Sequence, residues 1–202
     1  MFRNLFQPDS PLMVTLAHIT DCIFLSLFWI LGCFPVVTMG ASCAALYDSV
    51  YRGFREGDEH SWRRFAHSFR LNWKSGIVPT ILVLALGALL AEGLIAAWNG
   101  AVYGEISWAL FSGAALGEVT VLGALSLVFP VLSRFENSTG QLLKNAALLA
   151  LGNLPRTMAL GILNALTILL TLRYIWPLFL LPTLTTLIST FLVEPILKPY
   201  ES

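Results

Sequence analysis

The chain has 202 residues, 56% of them hydrophobic and only 12% charged, and its twelve Lys and Arg balance twelve Asp and Glu. A mean hydropathy of +0.75 lies beyond what soluble domains carry and places the chain in a lipid bilayer. The zero net charge conceals an asymmetry along the chain, and a nucleic-acid partner is not expected, because the basic residues are accounted for by anionic lipid.

The first apolar stretch runs from Leu16 to Val37, with no charge between Asp21 and Asp48. Pro35 opposes further helix through its missing N–H and its clash with the preceding turn. Beyond it, Gly40 permits an unusual backbone turn and Ser42 is placed to cap a new helix. A cytoplasmic elbow over 40–74 is expected, broken at Gly57 and Asp58. In its second half Trp62, Phe65, Ala66, Phe69 and Trp73 recur every three or four residues, with Arg63, Arg64, His67, Arg70 and Lys74 between them. That spacing predicts a helix lying in the interface, aromatic side toward lipid and basic side toward headgroups, at about 1 kcal/mol per cation.

The second and third spans are read from Gly76 to Ala97 and from Trp108 to Leu132. A second elbow over 134–156 follows, where Ser138-Thr139-Gly140-Gln141 has the form of a capping box. Leu142, Leu143, Ala146, Leu149 and Ala150 then continue at helical spacing. The fourth span, Thr157 to Leu172, is short and meets the fifth, Tyr174 to Val193, at Arg173, so a re-entrant segment stays open as an alternative. Asn72 and Asn153 both stand near the end of an elbow, which fits a parallel internal repeat of span, elbow and span.

These stretches are long enough, or nearly so, to cross about 30 Å of hydrocarbon at 1.5 Å per helical residue. Strands would need alternating polarity. The fold class expected is all-α: a polytopic bundle of about five transmembrane helices with two amphipathic elbows, forming one membrane domain over 1–202 without a cleavable leader. Of the twelve cations, Arg3 and Arg173 fall on one side. The other ten (Arg52, Arg55, Arg63, Arg64, Arg70, Lys74, Arg134, Lys144, Arg156 and Lys198) fall on the opposite side. The positive-inside rule therefore puts the N-terminus outside and the C-terminus in the cytoplasm of a cell-membrane protein. Cys22, Cys33 and Cys43 read as small hydrophobes, and no disulfide, metal site or cofactor is expected.

Several segments carry a family resemblance. Asn4-Leu5-Phe6, Asp9-Ser10-Pro11-Leu12, the run Leu25 to Leu31, and above all Pro35-Val36-Val37-Thr38-Met39-Gly40-Ala41-Ser42 resemble the YesL-like family of bacterial membrane proteins of unknown function. The likeness extends through Phe65, Phe69 and Asn72, while Ser26 stands where that family usually has Asn. Members often accompany carbohydrate ABC importers in Gram-positive bacteria, so the resemblance implies a role near sugar uptake, with importer permease subunits as partners. It implies no catalytic residue.

Two polar sets stand out. Asp21, Glu92 and Glu118 each fall about a turn inside the outer edge of a span, with Arg173 at similar depth and His18 on the face of Asp21. They read either as an outward polar site for a cation or a sugar, or as the acidic complement of the positive-inside bias. On the last two spans Asn164, Thr167 and Thr171 face one way, and Thr183, Thr186 and Thr190 repeat the spacing. They are either a packing seam, worth about 0.6 kcal/mol per contact, or a hydroxyl-lined path, which Pro182 would help to open by freeing a carbonyl. Gly113 with Gly117, and Gly161 with Ala165, offer close helix approach within one protomer or, less simply, a homodimer seam. His60 and His67 are too few for a metal site.

No nucleophile triad, phosphate loop or metal-ligand motif occurs, and an enzyme is not expected. Two functions remain: an accessory or regulatory component of carbohydrate uptake that docks through Gly40 to Asn72, and an autonomous small transporter built on Asp21, Glu92 and Glu118.

Overall fold

The computed structural model describes residues 11–56, 60–135 and 138–198; Arg3, Asn4, Leu5, Phe6, Asp9, Ser10 and the expected break at Gly57 and Asp58 lie outside them. Among the described residues there are eight α-helices and no strand: α1 (Pro11–Cys33), α2 (Met39–Val50), α3 (Ser61–Asn72), α4 (Ile77–Val102), α5 (Trp108–Arg134), α6 (Thr139–Gly152), α7 (Leu154–Arg173) and α8 (Leu181–Leu197). Three of them, α4, α5 and α7, are long and apolar enough to cross a membrane, whereas α1 and α8 carry shorter apolar stretches. The fourth expected span is therefore a helix of full length. The first is cut short at Cys33 by Phe34 and Pro35, and the fifth begins only at Leu181 after a 3-10 turn over Trp176–Phe179.

The long helices alternate in direction. Gly104, at φ +78°, turns the chain between α4 and α5, and the Ser107 hydroxyl caps α5 by accepting the Leu110 N–H at 3.3 Å. α5 and α7 lie so close that a Cβ at Gly123 would strike the Thr157 carbonyl, and one at Gly161 would strike that of Val119. Gly113 and Gly117 face open space instead, so the expected GxxxG contact is replaced within the protomer by Gly123 against Gly161. Spacing alone could not choose between Gly117 and Gly123, because both lie on α5 and only depth decides which meets a neighbour.

The largest departure concerns α2. Expected as part of a peripheral elbow, it is the buried centre of the bundle: residues from Gly40 to Val50 are almost wholly covered, and it packs on α1, α3, α4, α5 and α8. Its composition explains this, since Gly40, Ala41, Ser42, Ala44 and Ala45 leave a thin helix around which larger neighbours close. Gly40 lies inside α2 with no left-handed turn. Its lack of a side chain brings the α4 start against it, for a Cβ would overlap the Thr80 hydroxyl and the Phe129 ring. Its N–H donates to Thr80 Oγ1 at 3.0 Å. Ser42 does not cap; its hydroxyl donates back to the Thr38 carbonyl at 3.1 Å. Thr38 Oγ1 in turn donates to the Gly32 carbonyl at 2.7 Å, closing the turn after Pro35. The Pro35 to Ser42 motif is thus the crossing point of α1, α2 and α4.

α3 runs beside α1 in the same direction, with Phe65 stacked on Phe28 at 6.0 Å and Phe69 against Gly32. The aromatic side expected to meet lipid is therefore divided: Phe65 and Phe69 pack inward, while Trp62, Ala66 and Trp73 stay exposed. The apolar face of α6 is buried as its spacing predicted, through Leu142, Ala146, Leu149 and Ala150, but Ser138 makes no side-chain cap bond. Asn72 and Asn153 do match, each amide donating to the carbonyl four residues back. The two halves otherwise differ, with α2 and α3 between α1 and α4 but α6 alone between α5 and α7. Replacing Gly123 or Gly161 with Leu should cost about 3 kcal/mol or more, because backbone rather than a movable side chain blocks the space; Gly117→Leu should stay within about 0.5 kcal/mol. Thermal unfolding in one detergent distinguishes the two sites.

Candidate functional site: a central chamber above a buried ion pair

A chamber of about 730 Å³ lies between α2, α4, α5, α7 and α8. Its two walls differ in chemistry. On α4 and α5 it is bounded by Val83, Leu84, Gly87, Leu122, Leu125 and Phe129; on α7 and α8 by Asn164, Thr167, Thr171, Thr185, Thr186 and Ser189. The base is α2, through Met39, Cys43, Leu46 and Tyr47. The polar wall has a definite sense. Thr167, Thr171 and Thr186 each donate their single hydroxyl proton to the carbonyl four residues back, all at 2.8 Å. Since Thr167 has spent its proton, Thr185 is the donor in the 2.8 Å contact between them. The wall therefore offers oxygen lone pairs. Asn164, which gives one N–H to the Leu160 carbonyl at 2.8 Å, keeps its carbonyl oxygen for a guest.

The seam expected on the last two spans is thus partly in register. Asn164, Thr167, Thr171 and Thr186 line the chamber. Thr183 faces α1 instead, donating to the Cys22 carbonyl at 3.0 Å and accepting from Ser26 at 2.8 Å. Thr190 is buried and bonded to the Leu187 carbonyl. Hydroxyls at 183, 185, 186, 189 and 190 cover two faces of α8, so their spacing fits either. Pro182 occupies the first turn of α8, where a missing N–H costs nothing, and frees no carbonyl. Pro130 does so within α5: it removes the helical partner of the Ser126 carbonyl at a position where both residues line the chamber.

The acids expected to converge do not. Glu118 approaches Gly93, beside Glu92, across the α4 and α5 hairpin, whereas Asp21 is exposed on α1, which packs on α2, α3 and α8. His18 stacks on Phe54 at 5.4 Å rather than serving Asp21, and Arg173 is exposed over the Tyr174 ring. The depth inferred from span boundaries was similar for these residues, but α1, which carries Asp21 and His18, makes at most marginal contact with α4 and α5, which carry Glu92 and Glu118.

The buried charges lie at the base. Glu194, 1% exposed, accepts on Oε1 from Arg134 at 2.7 Å and from the Tyr47 hydroxyl at 2.8 Å. Its Oε2 has no hydrogen-bond partner among the described residues. The Arg134 guanidinium also covers the Tyr51 ring at 4.2 Å. Burial, and then the Glu194 carboxylate, push the Tyr47 phenol upward from its usual range, so it remains a donor at neutral pH. Tyr51 opens a π-helical turn, Tyr51–Arg55, a distortion frequent at functional positions. Beside it Asp48 accepts from Arg52 at 2.9 Å and Arg64 at 2.8 Å. Glu194 and Asp48 were visible in sequence only as the ends of uncharged runs. Asp48 pairs with Arg52 at the local i,i+4 spacing, but its second partner Arg64 lies 16 residues away and the Glu194 partner Arg134 lies 60 away, beyond any local pattern.

The arrangement is that of an all-helical protein with three helices apolar and long enough to cross a membrane and a half-open cavity between α4 and the α7 and α8 pair. Residues 22–93, from α1 into α4, are similar to the family described as protein of unknown function, DUF624. No curated protein and no solved structure matches the chain. The matched segment contains the α1, α2 and α4 crossing but neither the polar wall nor Glu194. Glu194→Ala should destabilise the protein by about 3–5 kcal/mol, because it strands the Arg134 charge at the base, whereas Tyr47→Phe should cost about 1 kcal/mol. Unfolding midpoints of both variants in the same detergent measure the difference.

Proposed function

We propose that this protein is a multi-pass membrane protein that binds, without chemistry, an amphipathic molecule in the central chamber and acts as an accessory to uptake at the cell membrane. The observation that carries the reading is the chamber itself. The cleft is half open beside α4, and its volume of about 730 Å³ falls in the range of ligand sites. One wall accepts hydrogen bonds and the other is apolar, which suits a molecule with a hydroxyl-bearing head and a hydrocarbon part. A bare sugar fits less well, since among the lining residues only Asn164 carries an amide and none a carboxylate. A glycosylated amphipath fits both walls and accords with the sugar-uptake setting implied by the family resemblance. Access is lateral: α4 packs on α5, α2 and α6 but makes at most marginal contact with α1, α7 and α8.

For topology, we take the basic end with α2, α3 and α6 as cytoplasmic, with α4, α5 and α7 as full crossings and α8 as a shorter one; charge alone puts the N-terminus outside, but His18 stacks on Phe54 at 5.4 Å, which brings the start of α1 to the basic Tyr51–Arg55 turn. Docking on importer permeases would fall to the exposed side of α3 around Trp62, because α2 is enclosed. The autonomous transporter on Asp21, Glu92 and Glu118 is the weaker reading, as those residues do not share a site.

Gly87 provides the test, since a side chain there meets nothing within 4 Å and would project into the chamber. Gly87→Leu should leave the fold intact, with a helix propensity gain of about 0.8 kcal/mol, and should abolish retention of dodecyl maltoside in native mass spectrometry. Thr167→Val should weaken retention of the maltoside but not of a dodecyl polyoxyethylene ether. Equal retention by wild type and Gly87→Leu would exclude the chamber as the site. Crosslinking in native membranes tests the accessory role: recovery of permease subunits supports it, and recovery of this chain alone sinks it.

A further inference from the structure

Apart from the chamber, a second concavity of about 240 Å³ is lined by His60, Arg63, Arg64 and His67. They stand at intervals of three and four along the first two turns of α3 and its preceding residue, so all four point to one side. Three features indicate an anionic guest. The charge is unbalanced: Arg52 and Arg64 share the single carboxylate of Asp48, and Arg63 adds a further cation. Over 48–74 six cations (Arg52, Arg55, Arg63, Arg64, Arg70, Lys74) face four anions (Asp48, Glu56, Asp58, Glu59), a net +2. Arg64 is also held in place, because its Nε donates to Asp48 at 2.8 Å while its terminal nitrogens remain for another partner. Finally, the rim is aromatic: Trp62 and Trp73 are exposed, with Arg63 over one ring at 5.1 Å and Lys74 over the other at 5.4 Å. Exposed tryptophans beside cations mark headgroup depth in a membrane protein.

We infer that His60, Arg63, Arg64 and His67 form a phosphate-binding site on the cytoplasmic side, filled by the headgroup phosphate of an anionic phospholipid. Guanidinium forks match phosphate oxygens two at a time, and the His67 imidazole adds a donor from the same side. The ligand chemistry is a phosphate ester. Its lipid source is favoured by the tryptophan rim, and a soluble phosphate is the other source to be distinguished. The site is separate from the chamber and does not depend on what the chamber binds.

The test uses the full-length protein in nonionic detergent, titrated with dihexanoyl phosphatidic acid, with dihexanoyl phosphatidylcholine and with inorganic phosphate. Wild type should bind one phosphatidic acid saturably. R63Q/H67Q, which spares the Arg64 and Asp48 pair, should weaken binding about tenfold, as expected for losing a charge-assisted contact to the phosphate. K144Q/R156Q, on α6 and α7, should bind as wild type does. Competition by millimolar phosphate would identify the phosphate as the recognised group, and binding of phosphate without the lipid would assign the same site to a soluble ester. Absence of saturable binding by both ligands, or equal weakening in the two double variants, would overturn the inference.

Discussion

The base of the bundle depends on one buried carboxylate. Glu194 arrives on α8, Arg134 on α5 and Tyr47 on α2, and they meet through two short hydrogen bonds. Removing such charges from water costs several kcal/mol per ion, and their attraction repays this only in good geometry. The pair is therefore a weak source of stability but a strict specification. With the charge of Glu194 matched only when α5 and α8 end at the same level, and Tyr47 reaching it only when α2 lies beneath them, the three helices have little freedom to slide. Apolar contacts alone would leave that register loose, because in lipid one methyl group packs much like another.

Once α2 is fixed there, the rest of the architecture follows. Its small residues admit α4 close at Gly40, so α4 is anchored at its base and by the hairpin to α5. On the other side Gly123 and Gly161 draw α7 against α5, and the Thr167 and Thr185 contact joins α7 to α8. α5 is thus flanked by two walls of different origin, one set by the α2 crossing and the other by close glycine packing. The volume between them is the chamber, and the tyrosine that seals its floor is the one that holds the carboxylate.

The long apolar helices and the amphipathic character of α3 and α6 were legible because each is a local signal: apolar length or period. The long helices α4, α5 and α7 appear close to where composition placed them. The fate of α2 was not legible, since a short run rich in Ala, Gly and Ser between a proline and a basic segment reads equally as loop, elbow or buried helix. The hydroxyl seam was legible as a set but not in register, because Thr183, Thr185, Thr186 and Thr190 satisfy two faces of one helix. The outer acids misled for a different reason. Depth along a span follows from sequence, but which helices adjoin does not, and Asp21 shares its depth with Glu92 and Glu118 without sharing their neighbours.

The family similarity and the chamber divide the chain in an informative way. The matched residues 22–93 contain Pro35, Thr38, Gly40 and Ser42, and their roles are structural: a helix stop, a turn closure, a close approach and a back-bond to the turn. They build the floor and the α4 part of the apolar wall. The hydrogen-bonding wall, with Asn164 and Thr167, lies wholly in α7 and α8, outside the match. The frame and the hydrogen-bonding chemistry are thus carried by different segments, so selectivity of the proposed binding would lie in the last two helices rather than in the Pro35 to Ser42 motif.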